Sequence, residues 1–182
     1  MGLNSPLRLG WIVVIKHLPY VDLDGHYQFI TFRTLDSVDS FLKKLAQNDL
    51  PNKKKQLAID QYLDQSCNGA YLNGEVLELL SDFLKQKDAN LYKLISFCIM
   101  PNHVHLLVKP LDNLARMMQV IKDGSAKLIN EQMGRKGVFW FAGYYDKLIR
   151  DDKHFSVVYE YIRNNPADLA ETPAPRFYGI YD

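Results

Sequence analysis

Aromatic and β-branched residues first dominate at Tyr27-Gln-Phe-Ile-Thr-Phe-Arg33, which reads as the first strand of the domain. Ahead of it, residues 1–26 carry one short apolar run, Trp11 to Ile15, among Pro6, Pro19 and Gly25, and read as an irregular N-terminal arm. Behind it, Val38, Phe41, Leu42 and Leu45 recur at helical spacing, with Asp36-Ser37 placed to cap that helix. The segment from Asn48 to Lys55, with Pro51 and three consecutive lysines, interrupts the pattern before Leu57 to Leu63 resumes it. Two turn signals, Asn68-Gly69 and Asn73-Gly74, flank Ala70-Tyr71-Leu72, and Val76, Leu79, Leu80, Phe83 and Leu84 then predict an amphipathic helix from Glu75 to Lys87.

The centre of the chain alternates differently. Tyr92 to Met100 and His103 to Lys109 are two apolar runs separated by Pro101-Asn102, the signature of a hairpin. Pro101 presets φ at the first central turn position, and Asn102 tolerates the left-handed conformation at the second. A long helix follows from Asn113 to Met133, then Gly134-Arg-Lys-Gly137, then short extended segments at Val138 to Phe141 and Tyr144 to Ile149. Phe155, Val158, Tyr159 and Ile162 form the apolar stripe of a last helix, Asp152 to Asn165, which Pro166 should end. Residues 167–182, with Pro173 and Pro175, read as an irregular tail. This order of elements predicts one α+β domain over residues 1–182, an antiparallel sheet covered by helices.

Two places in this pattern carry chemistry. His103 and His105 are separated by Val104 within a strand, so their imidazoles project from one face and can share a metal ion. Polar residues alternating with apolar ones in a half-solvated strand also occur without any function. In the last helix, Tyr161 and Asn165 lie one turn apart on a shoulder of the apolar stripe, where both can face the sheet.

The segment Cys98-Ile-Met-Pro-Asn-His-Val-His-Leu-Leu-Val resembles the His-hydrophobic-His motif of the HUH endonuclease superfamily, in particular the single-tyrosine transposases associated with repeated extragenic palindromes. The stretch Trp140 to Pro166, with Tyr161-Ile-Arg-Asn-Asn-Pro166, looks like the carboxy-terminal half of the same family, and Leu18-Pro-Tyr-Val-Asp22 and Gln28 to Arg33 are similar to its opening. The resemblance implies a ferredoxin/RRM-like antiparallel sheet with the histidine motif on a central strand. It implies Tyr161 as nucleophile and Mg2+ or Mn2+ held by His103 and His105, with the Asn165 amide oxygen as third ligand. The implied substrate is single-stranded DNA folded into a hairpin, cut to a 5′-phosphotyrosine with a free 3′-hydroxyl that permits strand transfer. A homodimer exchanging its tyrosine helices is an arrangement the family also uses.

Composition narrows the partners only locally. The 182 residues are 47% hydrophobic with a net charge of +1, so no global field draws nucleic acid. Between Arg116 and Lys153, however, eight basic residues face five acidic ones. Of these, Lys122, Lys127, Arg135, Lys136, Lys147 and Arg150 are the candidate phosphate contacts, and Trp140, Phe141, Tyr144 and Tyr145 the candidate base-stacking residues. No run approaches the ~20 apolar residues of a membrane span, and the N-terminus lacks a signal-peptide layout, so a cytoplasmic, membrane-free protein is expected. Cys67 and Cys98 form no paired motif and read as ordinary thiols. Two rivals stand beside the nuclease. A catalytically silent hairpin-binding protein would not need His103, His105 and Tyr161 together, and a metal-dependent hydrolase would need ligands beyond His17, His26 and His154, none of which sits in a ligand motif.

Overall fold

A computed structural model describes residues 26–47, 51–169 and 176–182. The sheet is built from β1 (Gln28–Arg33), β2 (Tyr92–Ile99), β3 (His103–Pro110), β4 (Tyr145–Leu148) and β5 (Phe177–Gly179) in the order β4-β1-β3-β2-β5, every neighbour antiparallel. The helices are α1 (Ser40–Gln47), α2 (Asn52–Gln65), α3 (Gly74–Gln86), α4 (Leu114–Met133) and α5 (Asp152–Asn164). Strands β1 to β4 with α3 and α4 reproduce the ferredoxin-like arrangement expected from the sequence. The β2–β3 hairpin is its centre and β3 its middle strand.

Alternation along β3 sorts the interior into two layers. Val104, Leu106 and Val108 join Ile30, Phe32, Leu80, Leu84, Met117 and Ile121 in the core under α3 and α4. Leu107, on the opposite face, joins Phe29, Phe155, Val158, Tyr159 and Ile162 beneath α5. Strand β2 has a register shift between Leu94 and Ser96, so Leu94 and Phe97 feed the first layer while Ile95 and Cys98 feed the second. A third, small cluster of Leu42, Ile59 and Leu63 binds α1 to α2.

Local chemistry sets the element ends. Asn113 caps α4, its Oδ1 accepting from the backbone of Ala115 and Arg116, and Gly134 closes it in the left-handed conformation at φ 62°. Three boundaries differ from the sequence reading. Asp36-Ser37 lies in a short 3-10 turn, Leu35–Ser37, and the residue that caps the first helix is Asp39, whose Oδ1 accepts from Leu42 N at 3.0 Å. The Val138–Phe141 segment forms no strand and makes an isolated bridge between Trp140 and Thr34. The tail is not irregular throughout: β5 extends the sheet along β2, a pairing that its spacing of prolines does not advertise. The N-terminal arm, apart from His26, lies outside the described residues.

Gly179 in β5 sits directly under α5. A Cβ there would collide with the Tyr159 hydroxyl, which itself accepts from Tyr181 N at 3.2 Å. Gly179→Ala is therefore expected to cost about 1–3 kcal/mol through overpacking, read as a lowered midpoint in urea.

Candidate active site

The face of the sheet beneath α5 carries a polar wall. Cross-strand register places Thr31 opposite His105 and Arg33 opposite His103, and on the other side Thr31 opposite Tyr145 and Phe29 opposite Lys147. Directly paired residues share a face, so Thr31, Arg33, His103, His105, Tyr145 and Lys147 all look toward the same layer. The two imidazoles are fully buried. Phe29 stacks on His105 at 5.7 Å between ring centroids.

Their outer nitrogens are already engaged. The Asn102 amide donates through Nδ2 to the carbonyls of Leu63, Ser66 and Asn68, at 3.1, 2.9 and 3.3 Å. That orientation turns its Oδ1 toward His103 Nδ1, 2.7 Å away, which must therefore carry the proton. His105 Nδ1 lies 2.9 Å from the Thr31 hydroxyl, which can donate or accept. The inner nitrogens, His103 Nε2 and His105 Nε2, face each other at 3.1 Å. That is a hydrogen-bond separation, and two imidazole nitrogens this close could also share one ion. Without a cation, His105 Nε2–H donates to His103. With one bound at Nε2, His105 would carry its proton on Nδ1, where the Thr31 hydroxyl could accept it.

Burial holds both imidazoles neutral. It lowers His103 well below its ordinary value, with His105 and Arg33 adding to the effect, and lowers His105 to about 3. Neutral imidazole is the form that binds metal.

Helix α5 lays Tyr161 over this pair within the same chain. Its ring meets His105 edge-on at 5.2 Å and Phe29 at 5.9 Å. Burial first, then the charges of Asp60 and Asp64, raise the phenol well above its ordinary value. Asn165, the residue closing α5, has an Oδ1 shielded from solvent and without a hydrogen-bond partner among the described residues, a free acceptor of the kind a third ligand needs. Among the described residues no group of three or more His, Cys, Asp or Glu side chains forms a preformed cation site.

Helix α2 closes the site from the side. Asp64 Oδ1 stands 3.5 Å from His103 Nε2, and one turn earlier Asp60 Oδ2 stands 3.5 Å from the Tyr161 hydroxyl. Asp60 is 4% exposed, and burial pushes its carboxyl up to about 7, with Asp64 adding to the rise while Gln56 and Arg33 moderate it. The sequence signal for both was present but unused. They lie four residues apart on one face of a helical stretch, behind a run of three lysines. Thr31 and Arg33 were equally legible as polar positions two apart in an apolar strand, mirroring His103 and His105.

The candidate DNA contacts are not gathered into one patch. Lys147 is on the polar wall's face and Arg150 is exposed just before α5. Lys122 and Lys127 lie on α4, across the sheet from Tyr161, and Lys122 Nζ donates to the carbonyls of Phe141 and Ala142 at 2.6 and 2.7 Å. Arg135 pairs with Asp36 at 3.2 Å and stacks over Tyr71, while Lys136 is exposed in the turn after α4. Trp140 corrects the stacking expectation: it is 3% exposed, packed against Phe32, and donates from Nε1 to Ser125 at 3.0 Å, leaving no face for a base. Tyr144, Tyr145 and Phe141 remain partly open around a recess of about 170 Å3 that Thr31, Arg33 and Gln56 also line. Arg33 lies over the Phe141 ring there, at 4.8 Å from its centroid.

Asn102→Ala removes three carbonyl partners and the His103 anchor at once, and should destabilise the fold by about 3 kcal/mol in urea titrations. The pH dependence divides by sign. The histidines stabilise fully above their unfolded value near 6.5, and that contribution fades as pH falls below it, for His105 down to about 3. Asp60 acts in the opposite direction: its raised folded value contributes stability at low pH that is lost as pH rises through about 7. Asp60→Asn should therefore melt roughly 5 °C higher than the unmodified chain at pH 8, the gap closing toward pH 4 in thermal scans.

Comparison with known proteins bears on the same elements. Residues 59–165 match the family described as Transposase IS200 like. A Haemophilus influenzae protein of uncharacterised function is 25% identical over 134 residues, spanning 57% of this chain and 74% of that one. A second Haemophilus influenzae protein, assigned by name to the REP-associated tyrosine transposases, is 27% identical over 114 residues, spanning 56% of this chain and 65% of its own length, just under two thirds. Among solved structures, a REP-associated tyrosine transposase bound to a REP hairpin aligns at TM-score 0.45 and 18% identity, covering 85% of this chain and 73% of that one. A Deinococcus radiodurans structure assigned to a transposase aligns at 0.42 and 14%, covering 87% and 98%. The family match runs from α2 through the histidine strand to the end of the tyrosine helix, over more than half of the chain, and on that ground the chain belongs to the IS200-like transposase family.

Proposed function

We propose that this chain is a metal-dependent single-stranded DNA endonuclease and strand transferase that acts on hairpin DNA through a covalent 5′-phosphotyrosine. The observation that carries the reading is the contact of Tyr161 with the paired imidazoles, its ring 5.2 Å from that of His105 on one buried wall. A phenol is among the few side chains that can store a phosphodiester as an ester and release it to another hydroxyl, so cutting and joining need no external energy source. Membership in a transposase family supports breakage and rejoining of DNA as the overall reaction.

His103, His105 and Asn165 are the residues that would hold Mg2+ or Mn2+. Bound there, such an ion would supply Lewis-acid polarisation of the scissile phosphate and stabilisation of its developing charge. Asp64, 3.5 Å from His103 Nε2, adds negative charge that favours a cation at this place. The chain's own part is positional. Thr31 and Asn102 hold the imidazoles with their Nε2 atoms inward, Phe29 backs both His105 and Tyr161, and α5 fixes the phenol beside them. Arg33, in the recess beside Phe141 and Tyr145, is the cation best placed to meet a phosphate next to the scissile one, with Lys147 and Arg150 extending the track. Lys127 and Lys136, exposed on the other layer, would touch only a more distant part of a folded strand.

The test is adduct formation. Labelled single-stranded hairpin oligonucleotides incubated with the chain and Mg2+ or Mn2+ should give a protein–DNA band that survives a denaturing gel, absent with Tyr161→Phe and reduced at least about 100-fold with His103→Ala. Retained hairpin binding with no adduct under either metal would instead assign the chain a silent, binding-only role. An adduct that persists in Tyr161→Phe would move the nucleophile to another tyrosine, with Tyr159 the first to examine.

A further inference from the structure

We propose that the Asp60 carboxylate is the proton acceptor for the Tyr161 phenol during cleavage and its proton donor during strand joining. This rests on the nuclease reading and adds to it a residue from outside the histidine and tyrosine motifs. Four observations support it.

Asp60 Oδ2 is 3.5 Å from the Tyr161 hydroxyl, close enough for a modest closing movement on substrate binding to complete the hydrogen bond. Its other oxygen is held by Gln56 Nε2 at 2.6 Å, which fixes the direction in which Oδ2 points. The carboxylate is 4% exposed, and no ion pair neutralises it among the described residues. A buried carboxylate of this kind is costly to the fold, which makes a purely structural role a poor account of it. Finally, the alternatives are otherwise occupied. His105 is bonded through both ring nitrogens, to Thr31 and to His103, and Asp64 Oδ1 lies 3.5 Å from His103 Nε2.

The phenol needs such a partner because a tyrosine hydroxyl ordinarily ionises only near pH 10. Among the described residues the charged and titratable groups acting on Asp60 are Asp64 on its own helix, Arg33 from β1, Tyr145 from β4 and Tyr161 from α5, with Gln56 as hydrogen-bond donor. Burial and Asp64 push its carboxyl up, whereas Arg33 and Gln56 hold it down, and the balance near 7 lies where a general base is most effective. In cleavage the Tyr161 oxygen forms a bond to the scissile phosphorus, the bond from phosphorus to the 3′ oxygen breaks, the phenolic proton passes to Asp60 Oδ2, and the departing 3′ oxygen takes a proton from solvent. In joining, an incoming 3′-hydroxyl attacks the phosphotyrosine and gives its proton to solvent. The bond from phosphorus to the tyrosine oxygen breaks, and Asp60 returns its proton to the phenolate.

The experiment is single-turnover adduct formation on a labelled hairpin oligonucleotide with Mg2+, from about pH 5.5 to about 9. The unmodified chain should accelerate with pH and level off above about 7. Asp60→Asn should bind the hairpin unchanged but form adduct about 100-fold more slowly near neutrality, its rate still climbing with pH and without the plateau, and Asp60→Glu should restore part of the rate. Gln56→Leu, which removes a donor that favours the charged carboxylate, should keep a plateau but move it to higher pH. Undiminished rate and an intact plateau in Asp60→Asn would overturn the inference alone, as would a plateau unmoved by Gln56→Leu. Absence of any adduct from the unmodified chain would overturn the nuclease reading and this inference with it.

Discussion

One side-chain amide ties the parts of this molecule together. Asn102 sits at the turn of the central hairpin, fully buried, with its Nδ2 spent on three carbonyls at the end of α2 and just beyond it, and its Oδ1 on His103. The backbone on either side makes further connections, Pro101 O accepting from Leu72 N and Asn102 O from Thr34 N. The middle strand, the helix bearing Asp60 and Asp64, and the turn leading into α3 are therefore positioned by a single residue. A buried amide left unsatisfied is expensive, so all of these contacts must form together or not at all.

The same economy explains how the sheet tolerates a polar wall. On one face β1 and β3 present aliphatic and aromatic residues to α3 and α4, an ordinary apolar core. On the other face the strands carry Thr31, Arg33, His103 and His105, and each imidazole nitrogen has a partner. Neutral imidazoles enclosed this way cost far less than charged ones, which is why burial lowers both histidines and leaves the carboxylate of Asp60 as the group that gains affinity for protons. Acid-labile and base-labile contributions to stability thus come from opposite sides of one site.

How much of this could be read along the chain depends on the range of the interaction. Alternation and helical periodicity are local, so the hairpin, the long α4 and the tyrosine helix emerge within a residue or two of their observed ends. The common face of His103 and His105 is likewise a consequence of strand geometry alone. Asp60 and Asp64 were missed because their meaning comes from where α2 docks, a non-local fact, and Asp39 displaced Asp36 as cap for want of any signal separating neighbouring acidic residues. Asn102 was noticed for its backbone and matters for its side chain: among the described residues Ala89 is the non-glycine with positive φ, so no left-handed turn is made at Asn102. Trp140 was offered to a base because aromatic residues near basic ones look alike in sequence whether they face inward or outward.

The tail carries a mechanical implication. Tyr159, two residues before Tyr161, receives the Tyr181 N–H, Arg163 pairs with Asp182 at 3.3 Å, and β5 is hydrogen-bonded to β2 of the same sheet. Residues 177–182 thus tie the tyrosine helix to the edge of β2. For that helix to leave its own sheet and dock on a second copy, these residues must either be released, uncovering the edge of β2, or travel with the helix and pair with the other sheet. Any movement of the tyrosine helix would therefore be tied to the state of the β2 edge.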